Sequence, residues 1–292
     1  MENELERWKK QGQFFNFKGH QIFYRDEGKG TPLICIHGFP VSSWDWRYLN
    51  PELEKNFRVI SLDMLGFGFS DKPPKHQYSI AEQSDIHESL LSFLGIEKYH
   101  ILAHDFGTLV AQELLSREIN LDTRKPMPLS LFAMSGSIFP ELSKPRLIQK
   151  LLTSKIGSII SLLFNEEKFN SGMARVFSGQ NQPDKKSLNT YWRLLCTNQG
   201  HKILHKLNFY LKERKVHGER WTEAWQFSTL PVRYLAGNDD PMYGAETLIK
   251  LKALSFKKDI TGLAGVGHFP HIEAPEMVTQ HLLSFLFQLE KS

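Results

Sequence analysis

The chain has 292 residues, 41% of them hydrophobic and 23% charged, and its formal net charge is +4. This composition is typical of a folded domain with a substantial core. The small net charge, without any block of basic residues, argues against a nucleic-acid partner. The two cysteines, Cys35 and Cys196, form neither a metal-binding spacing nor a disulfide framework. We expect a cytoplasmic protein, because the N-terminus lacks a signal-peptide pattern and the apolar tracts are too short to span a bilayer.

Strand-like and helical segments alternate along most of the chain. The strand-like runs begin with a predicted hairpin, 14–17 and 21–24, and continue with 32–37, 57–63, 101–103, 129–134, 232–236 and 259–263. Among the helical patterns, Ser79 is placed to cap a helix that Gly95 ends, and Pro275 to begin the last helix. Strands that alternate with helices are typical of a parallel sheet covered by helices. The predicted fold class is therefore α/β.

The alternation of strand-like and helical segments stops between residues 139 and 226. This stretch lacks strand-like runs, contains several helical patterns, and carries 15 lysine and arginine residues against 7 aspartate and glutamate residues. By default, its positive charge is that of a solvated surface. We therefore predict a core made of residues 1–138 and 227–292, interrupted by a helical cap over 139–226.

The stretch around Asp105 is the most informative part of the sequence. An apolar run of strand type leads into Ala-His-Asp-Phe-Gly-Thr and then into a helix with an apolar face. The small residues Ala103 and Gly107 lie two positions before and after Asp105, the spacing that a sharp strand-to-helix turn needs. Such a turn is a nucleophile elbow, which exposes its central side chain beside the N-terminus of a helix. Asp105 is the predicted nucleophile.

An aspartate nucleophile restricts the chemistry. A carboxylate is a poor attacker of an ester or amide, because acyl transfer to it would give a high-energy anhydride. It can attack a saturated carbon that carries a strained or good leaving group, and an alkyl ester then forms on the enzyme. Hydrolysis of that ester requires a histidine that activates water, a second carboxylate that orients the histidine, and backbone donors for the oxyanion.

The other members of this set complete the chain order Asp105, Asp240, His268. His268 lies in Gly-Val-Gly-His-Phe-Pro, between a predicted strand and a predicted helix, and is the predicted base. His271 is its nearest competitor and is expected at the rim of the site. The acid is Asp239 or Asp240 of Gly-Asn-Asp-Asp-Pro, and the Gly-x-x-Asp spacing favours Asp240.

Five motifs occur in the order in which α/β-hydrolases have them: His37-Gly-Phe-Pro40, 66–73, 103–107, 237–241 and 267–270. Because an aspartate stands at the elbow, the chain resembles the branch of epoxide hydrolases and haloalkane dehalogenases. The resemblance implies a mostly parallel sheet flanked by helices, an inserted helical cap, and a reaction without a metal ion or organic cofactor. For the oxyanion hole we predict the backbone N–H groups of Phe39 and Phe106.

The hydrogen-bond donors that the site can offer limit which leaving groups are possible. Dehalogenases resembling this chain hold the halide with donors at the positions of Phe39 and Phe106, and a phenyl ring supplies none. An epoxide needs a proton donor for its ring oxygen, which cap tyrosines supply in the related hydrolases. The segment 207–210 resembles the later tyrosine motif, so Tyr210 is the predicted donor. The early cap tyrosine is missing, and Tyr191 is the other candidate, with packing beside Trp192 as its alternative role.

The predicted function is an epoxide hydrolase-like reaction on a small hydrophobic substrate, bound by Phe39, Phe106 and Tyr191. The alternatives are a haloalkane dehalogenase-like hydrolase and a non-catalytic ligand-binding member of the fold. The apolar segment 147–164 has two interpretations, a cap helix over an apolar pocket or a helix at a membrane interface. The second interpretation predicts peripheral membrane contact without a spanning segment.

Overall fold

The computed structural model describes residues 4–120, 126–142, 145–255 and 258–291. Its strands are β1 (Gln13–Phe17), β2 (His20–Gly28), β3 (Thr31–Ile36), β4 (Phe57–Leu62), β5 (Lys98–His104), β6 (Met127–Met134), β7 (Val232–Gly237) and β8 (Asp259–Leu263). Within the described residues they form one eight-stranded sheet in the order β1-β2-β4-β3-β5-β6-β7-β8. Pairs β1–β2 and β2–β4 are antiparallel, and the others are parallel. The mostly parallel α/β sheet predicted from the sequence is confirmed.

Helices flank the sheet and also make up the chain segment that connects β6 to β7. The first part of the chain contributes α1 (Glu4–Lys10), α2 (Asn50–Leu53), α3 (Ile80–Phe93) and α4 (Phe106–Asn120). Between β6 and β7 lie α5 (Leu147–Leu152), α6 (Gly157–Leu162), α7 (Glu166–Ala174), α8 (Lys185–Cys196), α9 (Leu204–Leu207) and α10 (Tyr210–Phe227). We call this part the helical insertion. The last helices are α11 (Ala245–Leu254), α12 (Pro270–Glu273) and α13 (Pro275–Glu290), and 3-10 turns occur at Ser43–Tyr48, Pro140–Leu142 and Thr197–Ile203.

None of the helices in the described ranges combines the length and the apolar character needed to cross a membrane.

The predicted cap of α3 is present: the Ser79 side chain accepts a hydrogen bond from the backbone N–H of Glu82, and Gly95 follows the helix with φ of +69°. Both features match the residue types that begin and end helices.

The central strands are apolar on both faces because helices cover both sides of the sheet. Successive side chains of a strand point to opposite faces. In β3, Ile34 packs into a cluster that contains Leu90 of α3, whereas Leu33 packs into a cluster with Leu53 of α2 and Leu282 of α13. The side chains of Ile34 and Leu33 are fully buried. This double burial explains the uninterrupted apolar runs in the sequence.

The parallel arrangement brings four predicted site residues to one edge of the sheet. Phe39 follows β3, Asp105 follows β5, Asp240 follows β7 and His268 follows β8. Parallel strands end at a common edge, and the crevice outside their carboxyl ends is where ligands bind in open α/β sheets. Residues far apart in the chain therefore meet at this edge.

The elbow requires glycine at position 107, which gives a test of the fold. A Cβ atom at Gly107 would lie 2.3 Å from the backbone oxygen of Ile36, whereas a Cβ atom at Gly172 of α7 would contact nothing within 4 Å. We expect Gly107→Ala to lower the free energy of unfolding by about 1–3 kcal/mol through overpacking. The matched control Gly172→Ala is expected to raise it by about 0.5–1 kcal/mol through helix propensity. Urea denaturation measures both, and equal effects of the two variants would contradict this account.

Candidate active site

Asp105 occupies a sharp turn between β5 and α4, as the elbow motif predicts. Its backbone has φ of 49°, in the left-handed region, and α4 begins at the next residue. The loop that follows β3 comes close to this turn, since a Cβ atom at Gly38 would lie 2.9 Å from the Cβ atom of Asp105. The turn therefore pushes the carboxylate out of the sheet edge and fixes it beside the loop that follows β3.

The three residues predicted to form a catalytic set are in contact. The Nδ1 atom of His268 lies 2.9 Å from Oδ2 of Asp240, and its Nε2 atom lies 3.4 Å from Oδ2 of Asp105. The other oxygen of Asp240 accepts a hydrogen bond of 2.7 Å from the backbone N–H of Met242. Asp239 is exposed, whereas Asp240 is buried. Of the two aspartates left open by the sequence, Asp240 is therefore the one that contacts His268.

The two oxygens of Asp105 have different surroundings. The backbone N–H of Phe39 donates a hydrogen bond of 3.0 Å to Oδ1, whereas Oδ2 faces His268. Phe106 begins α4, so its N–H is one of the helix's first-turn donors, which have no partner within the helix. Its ring packs against Tyr210, with 5.1 Å between centroids. Oδ1 thus lies where an oxyanion hole is expected, and Oδ2 lies on the histidine side.

Electrostatics in this cluster favour an ionised Asp105. Burial alone would raise the pKa of Asp105, but His268, His104 and the N–H of Phe39 lower this pKa below its ordinary value. Burial alone would lower the pKa of His268, but Asp240 and Asp105 outweigh burial and raise this pKa. The resting site is therefore an imidazolium held between two carboxylates.

A second cluster of buried polar side chains, Asp45, His104 and His271, lies next to His268. The Nε2 atom of His104 is 2.8 Å from the backbone oxygen of His268, and the Nε2 atom of His271 is 3.5 Å from Oδ2 of Asp45. His271 is fully buried and packs on Trp46, which corrects its expected position at the rim. Asp45, His104 and His271 are the described residues whose spacing could suit a metal ion. Their existing contacts connect the loops around His268 instead, and we assign them a positioning role.

An apolar cavity opens above Asp105 and His268, between the core and the helical insertion. Its other lining residues are Phe39, Pro40, Met242 and Phe269 from the core, and Arg146, Ile148, Gln149, Leu152, Phe164, Phe169, Gly172, Met173, Val176 and Leu204 from the insertion. We call this the active-site cavity. Such a lining, with a few polar groups at the reacting end, is typical of a site for a hydrophobic small molecule.

Tyr191 does not border this cavity, which corrects its predicted role in substrate binding. Its hydroxyl group accepts a hydrogen bond of 3.4 Å from Nη1 of Arg47, and its ring contacts Trp44 with 5.1 Å between centroids. The reason is that α8 places Tyr191 against the Ser43–Tyr48 turn rather than over Asp105. Of the predicted substrate contacts, Phe39 lines the cavity, whereas Phe106 lies behind it against Tyr210.

Tyr210 does not itself line the active-site cavity, but it contacts two residues that do, Phe39 and Gln149, the second of which the sequence motifs did not indicate. Its buried ring packs between Phe39 and Phe106, and its hydroxyl group accepts a hydrogen bond of 2.8 Å from Nε2 of Gln149. Gln149 itself lines the cavity, and its Oε1 atom accepts a bond from the backbone N–H of Arg146. That bond fixes which end of the amide donates. No capping-box motif marked Gln149, because Arg146 at the N-cap of α5 has no side-chain oxygen to accept a hydrogen bond.

The hydroxyl group of Tyr210 is protonated in this setting. Burial and the nearby charge of Asp105 raise the pKa of Tyr210 well above its ordinary value. A second tyrosine missed by sequence analysis, Tyr243, is buried and stacks on the ring of His268, with 6.0 Å between centroids. His104 and Phe269 also contact this ring, so three aromatic side chains enclose the imidazole.

Comparisons with known proteins agree with this architecture. The mesoderm-specific transcript protein of Mus musculus is 36% identical over 282 residues, which cover 93% of this chain and 84% of that protein. The protein LipZ of Mycobacterium tuberculosis is 35% identical over 284 residues, which cover 97% of this chain and 98% of LipZ. The solved structure of epoxide hydrolase CorEH without ligand shares the fold, with a TM-score of 0.77 at 19% identity, covering 95% of this chain and 99% of that chain.

The family assignment follows from the sheet, the motif order and the sequence match together. Residues 31–275 match the family model described as the alpha/beta hydrolase fold. That range contains the elbow, the loop with Asp240 and the loop with His268. The chain is therefore an α/β-hydrolase and belongs to the alpha/beta hydrolase fold family.

Proposed function

We propose that this hydrolase opens epoxides of small hydrophobic molecules through an alkyl ester on Asp105, with the helical insertion acting as the cap. The observation that carries the proposal is the asymmetric environment of Asp105. One carboxylate oxygen accepts a hydrogen bond from the N–H of Phe39, and the other lies beside His268 at the base of an apolar cavity. This arrangement suits a carboxylate that attacks with one oxygen while backbone donors hold the other.

In the first step, Oδ2 of Asp105 attacks a carbon of the epoxide ring and forms a C–O bond. The ring C–O bond breaks, and its electron pair remains on the ring oxygen. Tyr210 transfers its hydroxyl proton to that oxygen. The products of this step are a hydroxyalkyl ester on Asp105 and a tyrosinate.

Esterification removes the negative charge of Asp105 beside His268. Asp105 becomes neutral, so one of the two carboxylates that raise the pKa of His268 is lost, and this pKa falls. The imidazolium then releases the proton that restores the Tyr210 hydroxyl group. The neutral imidazole can take a proton from water, whose oxygen attacks the carbonyl carbon of the ester.

The second step regenerates the resting site. The tetrahedral oxyanion is stabilised by the N–H groups of Phe39 and Phe106, and its collapse expels the diol oxygen, which takes the proton from His268. The new carboxylic acid then transfers its proton to the imidazole. An imidazolium and two carboxylates remain, and the net reaction is epoxide plus water to diol.

We assign to Gln149 the hydrogen-bond donor role that an early cap tyrosine has in the related hydrolases. It lies on the first helix of the insertion, lines the cavity, and already donates one amide hydrogen to Tyr210. A side-chain amide nitrogen carries two hydrogens. We assign the second hydrogen to the epoxide oxygen, so that Gln149 and Tyr210 together hold the leaving group. Phe39 and Phe106 offer no ring donor to a halide, which is why the dehalogenase alternative ranks lower.

Blocking the water step should trap the ester. We expect His268→Gln, incubated with styrene oxide or a terminal alkyl epoxide, to gain the mass of one epoxide, whereas wild-type protein does not accumulate it. Intact-protein mass spectrometry detects the adduct, and peptide mapping should place it on Asp105. The control His268→Gln/Asp105→Asn should gain no mass. Adducts from alkyl halides alone, or none from any compound with a folded protein, would contradict the proposal.

Removing the leaving-group donors should slow epoxide opening. A positioned acid contributes about 10²–10⁴-fold, so we expect Tyr210→Phe to reduce kcat at least about tenfold. Gln149→Met, which removes the amide, should produce a similar direction of change. Tyr191→Phe is the matched control, because its hydroxyl group bonds Arg47 outside the cavity, and it should retain wild-type kcat. Equal losses in Tyr191→Phe and Tyr210→Phe would overturn these roles.

The pH dependence of ester formation follows from the two pKa directions. The pKa of Asp105 is lowered, so the attacking carboxylate stays ionised well below pH 5, and the pKa of Tyr210 is raised, so the acid stays protonated above pH 9. We therefore expect the rate of ester formation in wild-type protein to be constant between about pH 5 and 9. Rapid-quench mass spectrometry measures it. A rate that rises through a group titrating near pH 7 would show that a free histidine base is required for this step.

A further inference from the structure

The outer surface of the helical insertion carries an unusual concentration of exposed large apolar side chains. We call it the apolar face, and its members are Leu147, Ile156, Ile159, Leu162 and Leu163. They are 49–72% exposed and all lie on or next to the short helices α5 and α6. Elsewhere the exposed large apolar residues are scattered along the described chain, from Phe14 to Met277. A concentration of exposed apolar side chains on two neighbouring helices suits an interaction site.

The apolar face borders a groove that shares part of its lining with the active-site cavity. A groove between α5, α6 and α7 is lined partly by Leu147 and Leu163. Four further residues line both this groove and the active-site cavity, namely Arg146, Ile148, Phe164 and Gly172. A molecule that covers the apolar face therefore covers the route to Asp105 as well.

The charges around the apolar face are mainly positive. Residues 145–175 contain five basic residues, Arg146, Lys150, Lys155, Lys168 and Arg175, against the two acidic residues Glu166 and Glu167. The three lysines are exposed. An amphipathic surface with basic residues beside exposed leucine and isoleucine is the pattern of segments that lie in a membrane interface. The positive charge selects anionic headgroups.

A second copy of this chain fits the same surface less well. In a twofold dimer each apolar face would meet its own copy, because such an interface uses the same patch on both subunits. The lysines beside one face would then approach those beside the other, and juxtaposed like charges are destabilising. An anionic bilayer supplies both the apolar layer and the opposite charge.

We infer that the apolar face docks the protein on the surface of an anionic lipid bilayer, with the active-site entrance against the membrane. The leucine and isoleucine side chains enter the interface, and Lys150, Lys155 and Lys168 contact the headgroups. This docking does not depend on the reaction at Asp105. A hydrophobic substrate dissolved in the lipid would reach the cavity through the shared groove.

Co-sedimentation with vesicles tests the docking. We expect the full chain to bind vesicles of phosphatidylcholine mixed with phosphatidylserine much more strongly than vesicles of phosphatidylcholine alone. Binding should weaken as salt is raised, because headgroup attraction is screened over a Debye length. Equal binding to both vesicle types, or no binding to either, would overturn the inference.

Variants at exposed positions test which side chains of the insertion carry the docking. Leu162→Ser/Leu163→Ser should reduce vesicle binding at least about tenfold, since two leucines no longer enter the apolar layer. Lys150→Glu/Lys155→Glu should abolish the preference for anionic vesicles. Ile249→Ser on α11 is the matched control, at 70% exposure outside the insertion, and should bind as the wild type does. Unchanged binding in the leucine variant, or a dimer that this variant dissociates in the absence of vesicle binding, would contradict membrane docking.

Discussion

The left-handed backbone of Asp105 is the constraint on which the site depends. This conformation costs on the order of 1 kcal/mol for a non-glycine residue, and its surroundings offset that cost. The N–H of Asp105 bonds the backbone oxygen of Met134, and the hydroxyl group of Thr108 bonds the carbonyl of Asp105. Gly107 allows α4 to begin directly against the end of β3. The buried sheet thus holds the carboxylate in a position that an isolated peptide would seldom adopt.

Two carboxylates share one histidine, and their exposure decides their roles. The Asp240 side chain is fully enclosed and bonds His268 and the N–H of Met242, so it can orient the imidazole but cannot reach a substrate. The Asp105 side chain is 11% exposed and borders the cavity. Charge, burial and access therefore distinguish the proposed nucleophile from the proposed orienting acid although the residue type is the same. In the proposed cycle, the loss of charge on Asp105 is also what turns His268 into a base.

The sequence predicted which residues of the core meet at one edge of the sheet. Asp105, Asp240 and His268 each follow a strand, and the common edge of a parallel sheet brings such residues together. The side chains carried by the insertion were harder to place, because their position depends on how short helices pack on the core. Tyr191 turned toward Arg47 for this reason, and Gln149 reached the cavity without any motif to indicate it.

The isotopic origin of the diol oxygen tests the central claim, that Asp105 forms a covalent ester. A single turnover of a terminal epoxide with excess enzyme in ¹⁸O-labelled water should give a diol without label at the attacked carbon. The label should instead appear in the Asp105 peptide, because water attacks the ester carbonyl and not the substrate. A labelled diol together with an unlabelled Asp105 would show that water attacks the epoxide directly, and would contradict the account.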